Sequence, residues 1–143
     1  MKPPDSVILK KVHEWITYAE EDLAFARHGL TMAKPAHRSI AFHAQQCVEK
    51  LLKAYLVYHD IDFPFTHNIS RLLELADELT GWLRDLTEAE ELTPFATTVR
   101  YPGETLRVSK REAIRAVNIA EKTFRKVRER FIQEGVKLSV AIQ

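Results

Sequence analysis

Apolar side chains recur every three or four residues along most of this 143-residue chain, the spacing of one face of an α-helix. The pattern predicts five helices, at about residues 7–32, 36–59, 67–83, 88–99 and 110–134. The segments between them are mostly short, and short loops favour antiparallel neighbours. We therefore expect an all-α fold, an up-and-down bundle of four to five helices.

Several helix ends carry their own signals. Thr66 can cap the third helix, and the segments 87–90 and 109–112 match the capping-box pattern before the fourth and fifth helices. Gly135 suits the C-terminal cap of the fifth helix, because glycine readily adopts the left-handed conformation found there. We expect one helical domain over residues 1–135.

The tail over residues 136–143 has a different pattern. Apolar residues alternate with polar or small ones after Gly135, which is the period of a β-strand. A partly disordered terminus is the simpler interpretation. The alternative is that the tail adds as a strand to a partner protein or to a second copy of the chain.

Composition narrows the range of functions. With 21 basic and 20 acidic residues the net charge is +1, which excludes a general polyanion-binding protein but leaves room for a local basic site. The single cysteine permits no internal disulfide, and no apolar run approaches the roughly 20 residues that span a bilayer. We expect a soluble cytoplasmic protein without a membrane partner. Aromatic residues in excess of what a small core needs predict a homodimer: Trp15, Phe42, Tyr58, Phe63 and Phe65.

A row of polar residues runs along the second helix. Gln46, Glu49 and Lys53 are three and four residues apart and share one face, with Gln45 beside them. The row is either an ordinary solvated stripe, which spacing alone favours, or a half-buried polar groove. If Glu49 is buried, it needs a partner such as Lys53 or an arginine from another helix.

Arginine and histidine supply the other candidate groups. Arg100, next to Tyr101, could present its planar guanidinium to a phosphate, and a basic segment follows. His67 could titrate near neutral pH beside the polar row. His43 and Cys47 are four residues apart, but two ligands do not make a zinc site, so we expect a packed thiol beside a surface imidazole, and neither a metal nor a cofactor.

Together these residues resemble the HEPN family (higher eukaryotes and prokaryotes nucleotide-binding). Residues 41–54 look like the family's signature helix, residues 64–69 resemble its Pro-x-Thr-His turn, and residues 100–102 resemble its Arg-Tyr-Pro element. Trp15 and Asp22 lie in the part of the first helix that also matches. The resemblance covers roughly residues 12–130.

The resemblance implies a helical bundle that is usually a homodimer. It also implies partnership with a separate minimal nucleotidyltransferase, and roles in nucleotide or RNA binding, RNA cleavage or toxin–antitoxin pairs. By this resemblance the ligand-binding residues would be Gln45, Gln46, Glu49, Lys53, His67, Arg100 and Tyr101.

One part of the family pattern is missing. Ribonuclease members resemble one another in an Arg-x(4–6)-His motif late in the chain, whereas here no histidine follows Arg100 and the last one is His67. RNA cleavage without a metal needs a proton-transfer group, which arginine cannot supply. We therefore expect a binding module rather than an enzyme. The alternatives are a ribonuclease toxin that uses Arg100 with His67 or His43, and a structural dimeric adaptor.

Overall fold

Four α-helices and one 3₁₀ helix make up most of the chain in the computed structural model, which describes residues 5–96 and 107–138. The elements are α1 (Ser6–Leu30), α2 (His37–Tyr58), α3 (Ile69–Thr80), the 3₁₀ helix (Trp82–Ala96) and α4 (Lys110–Gln133). Each helix packs against the next one in the chain. The predicted all-α bundle is confirmed, and no helix in the described residues is long and apolar enough to cross a membrane.

Helix α2 is the centre of the bundle, because it contacts all four other helices. Its side chains from Leu51 to Leu56 are all buried, and Tyr55 is completely so. A helix surrounded in this way leaves only a narrow strip for solvent. Any polar group of α2 that the neighbouring helices cover must find its hydrogen-bond partners within the protein.

Helices α1 and α2 approach each other closely at Gly29. A Cβ atom built on Gly29 would lie 2.7 Å from Cγ1 of Ile40, closer than van der Waals contact allows. Ile40 is β-branched and therefore stiff in a helix, so it cannot move aside easily. Glycine at this position lets α1 pack near the start of α2.

Helix α3 begins two residues later than predicted. Asn68 is its N-cap and accepts a hydrogen bond from the backbone of Arg71, whereas Thr66 accepts one from the backbone N–H of Asn68 and shapes the turn before the helix. The prediction that Thr66 caps this helix and that His67 opens it was wrong. The helix ends at Gly81, whose φ of 67° is left-handed.

The fourth helix was predicted as α-helical from a capping box at residues 87–90, and this was wrong. The segment Trp82–Ala96 is wound as a 3₁₀ helix. Its buried side chains Leu86, Ala89 and Leu92 are three residues apart, which puts them on one face of a helix with three residues per turn. Pro94 also has no N–H to continue an α-helix.

Helix α4 has the predicted ends. Ser109 and Glu112 form a reciprocal capping box, and Gly135 follows the helix with a φ of 94°. Val136 is buried and Leu138 packs against the core of the same chain, so the start of the tail is not a free strand. Residues 136–138 are not in a strand, and 139–143 lie outside the described residues.

A polar network joins the ends of α2 and α4. Glu134 accepts hydrogen bonds from the Tyr55 hydroxyl at 2.8 Å and from Nε of Arg130 at 3.0 Å. Nε2 of His59 lies 2.7 Å from the same carboxylate, without the angle of a hydrogen bond. Burial, together with the hydrogen bond to Glu134, raises the pKa of Tyr55 to about 12. The network fixes the last turn of α4 onto the central helix.

Candidate functional site on the polar face of α2

One strip of α2 carries five polar side chains, and we call it the polar face of α2: His43, Gln46, Glu49, Lys50 and Lys53. Glu49 and Lys53 are almost fully buried, whereas the other three are half-buried. The interpretation of this row as an ordinary solvated stripe was therefore wrong. It is a half-buried polar groove in which the charged groups have protein partners.

Glu49 is the centre of the first of two clusters on this face. Its Oε2 accepts a hydrogen bond from Nζ of Lys53 at 3.0 Å, and its Oε1 accepts one from the Gln45 amide at 3.1 Å. Nδ1 of His67 lies 2.8 Å from the same Oε1. The partner that a buried Glu49 was predicted to need is thus Lys53, one turn further along the helix.

The electrostatics of this cluster favour the ionised carboxylate. Burial acts to raise the pKa of Glu49, but the hydrogen bonds from Gln45, Lys53 and His67 act more strongly together, so that its pKa is lowered. Nζ of Lys53 also lies 5.8 Å from the ring centroid of Trp15, a cation–π distance. The buried ion pair thus has hydrogen-bond partners for Glu49 and an aromatic ring near Lys53.

A chain of amides extends the cluster toward solvent. Gln46 donates to Oε1 of Gln45 at 2.7 Å, and Gln45 donates to the backbone carbonyl of His67 at 3.1 Å. That second bond holds the connector between α2 and α3 against the polar face. Four of the sequence-predicted site residues, together with His67, therefore come together: Gln45, Gln46, Glu49 and Lys53.

Asp22 of α1 is the centre of the second cluster, and sequence reasoning did not single it out as a site residue. Its Oδ1 lies 2.8 Å from Nδ1 of His43, and its Oδ2 accepts from Nζ of Lys50 at 2.5 Å. Asp22 lies among apolar positions of the α1 stripe, next to Leu23, and this was the available signal. An acidic residue on a buried helix face needs a cationic partner.

His43 is held in one orientation by this contact. An ionised carboxylate only accepts hydrogen bonds, so Nδ1 of His43 carries the proton that it donates to Asp22. Nε2 is left on the other side of a ring that is partly exposed to solvent. The rings of Phe25 and Phe42 flank the imidazole, with centroids at 4.4 and 5.3 Å.

The two clusters share one arrangement of charge. The carboxylates lie underneath, with 11% of the Asp22 side chain and 4% of the Glu49 side chain exposed. The groups bonded to them reach further out, with 27% of His43, 24% of Lys50 and 49% of His67 exposed. On this face solvent therefore meets the Lys50 ammonium and the two imidazoles, whereas the carboxylates are covered.

The other candidate residues are not among the described members of these two clusters. Arg100 and Tyr101 lie outside the described residues, and the basic residues after them are exposed around the start of α4. Cys47 points into the core, where burial, with a smaller effect from Asp22, raises the pKa of its thiol. In the described part of the chain, no three histidine, cysteine or acidic side chains are placed to hold a metal ion.

Comparison with known proteins decides the family. A model of the HEPN domain matches residues 12–130, which is most of the chain and the same range that the sequence resemblance covered. The chain belongs to the HEPN family. The fold agrees, because the crystal structure of an archaeal HEPN homologue superposes with a TM-score of 0.66 at 28% identity, covering 83% of this chain and 96% of that one. No curated protein matches significantly.

In this HEPN domain, the signature helix at residues 41–54 falls within α2 and carries the whole polar face. The turn at residues 64–69 brings His67 onto that face. Two of the three motifs that carried the resemblance thus contribute to one surface, and the third, residues 100–102, lies outside the described residues. The family belongs to nucleotide-related modules, and the activity of this member is a separate question.

Proposed function

We propose that this HEPN domain is a binding module that holds the phosphate of a nucleotide or of RNA on the polar face of α2. The observation that carries the proposal is the layering of charge, with buried carboxylates below and Lys50, His43 and His67 above. Phosphate oxygens are acceptors and need donors and positive charge, which the Lys50 ammonium and the Gln46 amide offer. A protonated imidazole of His43 or His67 would add a further donor. Arg100 is a further phosphate-binding residue in the proposal, on the grounds of its sequence motif alone.

The proposal includes no RNA cleavage. No histidine follows Arg100 within the spacing of the ribonuclease members. His67, the substitute that the sequence suggested, has Nδ1 in contact with Glu49 and lies on the binding face. A domain of this kind would bind RNA, or present a docking surface to a minimal nucleotidyltransferase, without cleaving RNA.

The test combines a binding and a cleavage assay on labelled single-stranded RNA. We expect the wild type to bind without cleaving, Arg100→Ala to abolish binding, and Lys50→Ala to weaken it by roughly tenfold, because one charge-assisted contact is lost. Lys126→Ala is the matched control, since Lys126 lies on α4 beside Asp85 and should bind like the wild type. Wild-type cleavage that Arg100→Ala and His67→Ala both abolish would contradict the proposal.

A ribonuclease remains the second candidate, because of the contact between Asp22 and His43. A histidine oriented by a buried carboxylate, with its other nitrogen toward solvent, has the geometry of a general base. In that case His43→Ala would remove cleavage by the wild type while leaving RNA binding measurable. The same assay therefore separates the two candidates.

We also propose a homodimer, which is common in this family. The aromatic residues from which the sequence predicted a dimer support it only in part, because Trp15, Tyr58 and Phe63 pack against the core of the chain. Val7, Tyr18 and Met32 support it better. The spacing of Val7 and Tyr18 puts them on one side of α1, Met32 follows the end of that helix, and each of the three is at least half exposed.

We expect a dimer in sedimentation at micromolar concentration, and a monomer after Tyr18→Glu, because the variant would bury a charge in the interface. Ile132→Glu is the control, since Ile132 is an exposed apolar residue on α4. A monomeric wild type would contradict the proposal, and the exposed side chains Val7, Tyr18 and Met32 would then be a surface for a different partner.

A further inference from the structure

Two phenylalanine rings beside the polar face of α2 are exposed to solvent. Phe65, in the connector before α3, is 94% exposed, and Phe25 of α1 is 58% exposed. A phenylalanine normally contributes to folding by burying its ring. Phe65 does almost none of this, so its contribution to the stability of the bundle is small.

Each of these rings is next to a histidine of the candidate site. The Phe25 and His43 rings have centroids 4.4 Å apart, and the Phe65 and His67 rings have centroids 5.5 Å apart. The histidines are in turn held by the buried carboxylates, through contacts of 2.8 Å in both clusters. Each exposed ring therefore contacts a histidine that is itself bonded to a buried carboxylate.

The two ring pairs lie on opposite edges of the polar face. His43 and Phe25 are on the α1 side, whereas His67 and Phe65 are on the connector that Gln45 holds to α2. Along α2, His43 and Glu49 are six residues apart, which is about 9 Å of helix. Along the helix Gln46 lies between His43 and Glu49, and Lys50 lies on the α1 side, where it pairs with Asp22.

We propose that Phe25 and Phe65 are stacking platforms for two bases of one single-stranded nucleic acid, whose backbone crosses the polar face between them. This inference rests on the proposed function and specifies its ligand. Exposed aromatic rings alternating with positive groups are how proteins hold unpaired strands without reading their sequence. One base covers one ring, so a mononucleotide would use only one of the two platforms.

Charge favours a nucleic acid over a protein partner here. The exposed polar groups beside the rings are the Lys50 ammonium, the Gln46 amide and the imidazoles of His43 and His67, and the carboxylates are covered. A strand brings one phosphate per nucleotide and base edges that the Gln46 amide can bond. A protein helix would bring few acceptors, because its backbone carbonyls are already bonded.

The experiment measures the affinity of the full chain for a fluorescein-labelled oligouridylate of roughly six nucleotides. The variants are Phe25→Ala, Phe65→Ala and their combination, with Ile114→Ala as the control, since Ile114 is an exposed apolar residue on α4. We expect each phenylalanine change to weaken binding by roughly 5- to 100-fold, and the double variant by about the product. Uridine monophosphate should bind far more weakly than the oligomer.

The outcomes separate the inference from the proposed function. If the monophosphate binds as tightly as the oligomer, or if both phenylalanine variants bind normally while Lys50→Ala does not, the two-platform inference is overturned and the function stands. If neither ligand binds the wild type, both fail. A Phe25→Ala variant that changes sedimentation instead of affinity would also overturn it, because Phe25 would then belong to a dimer interface. A parallel oligodeoxyuridylate distinguishes RNA from DNA.

Discussion

Glu49→Ala is expected to destabilise the domain by about 3–5 kcal/mol, since it removes one member of a buried ion pair. Lys53, with 7% of its side chain exposed, would be left charged among Trp15 and other core neighbours. His67 and Gln45 would lose their common acceptor at the same time. The free energy of unfolding from urea titration measures the effect.

Two further variants separate charge from shape. Glu49→Gln keeps the size of the side chain and should cost less than Glu49→Ala. The double variant Glu49→Leu/Lys53→Met replaces the pair with apolar groups of similar volume and should be much closer to the wild type. If Glu49→Ala costs less than about 1 kcal/mol, the pair is solvated in solution and the half-buried groove is not the working form.

The same pair predicts how stability depends on pH. The pKa of Glu49 is lower in the folded chain than its ordinary value of 4.5, so the unfolded chain binds a proton at a higher pH than the folded one. The contribution of Glu49 is therefore complete above the unfolded pKa and is lost as the pH falls through the folded value. The difference in stability between the wild type and Glu49→Gln should shrink as the solution is acidified below about pH 4.5.

The long helices could be predicted because each depends on local information. The apolar spacing of α1, α2 and α4 covers six turns or more, and Ser109 with Glu112 forms its capping box from neighbouring residues. Thr66 and Asn68 are both good caps, and the sequence could not decide between them. Asn68 caps the helix, and the backbone N–H of Ile69, the first residue of α3, donates a further hydrogen bond to the hydroxyl of Thr93 in the 3₁₀ helix. That contact spans 24 residues.

The 3₁₀ helix shows a different limit. The buried side chains Leu86, Ala89 and Leu92 repeat every three residues, as in a 3₁₀ helix. Over so short a segment, an α-helix with 3.6 residues per turn would bury nearly the same residues, so the pattern does not separate the two. The capping-box pattern at residues 87–90 then favoured the α-helix. Pro94 is the residue that speaks against a continuous α-helix here, but a proline near the end of a segment indicates only that the helix stops earlier.

The sequence predicted which site residues share a face of α2, but it did not predict the contacts that other elements make with that face. Helical spacing alone puts Gln46, Glu49 and Lys53 on one face, and this spacing can be read directly from the sequence. Their burial depends on α1 and on the connector, which pack against them from elsewhere in the chain. Asp22 pairs with His43 and Lys50 across 21 and 28 residues, and no local pattern records such a contact.

Asp22→Asn is expected to change stability and RNA affinity in opposite directions. Asparagine can still accept the hydrogen bond from His43, but the charge that opposes Lys50 is lost. We expect the domain to lose roughly 2 kcal/mol, the scale of one hydrogen bond to a charged group. The polar face would become more positive, so affinity for single-stranded RNA should rise by roughly tenfold at low salt, with a steeper dependence on salt.

The control for this prediction is Glu121→Gln, which changes net charge by the same amount. Glu121 pairs with Arg27 at 2.9 Å between α1 and α4, on a different side of α1 from Asp22. Screening at physiological salt acts over about 8 Å, so a distant charge should affect a bound strand much less than one directly beneath it. Equal gains in affinity for the two variants would mean that RNA responds only to net charge. A loss for Asp22→Asn would mean that the orientation of His43, rather than the charge above the buried carboxylates, governs binding.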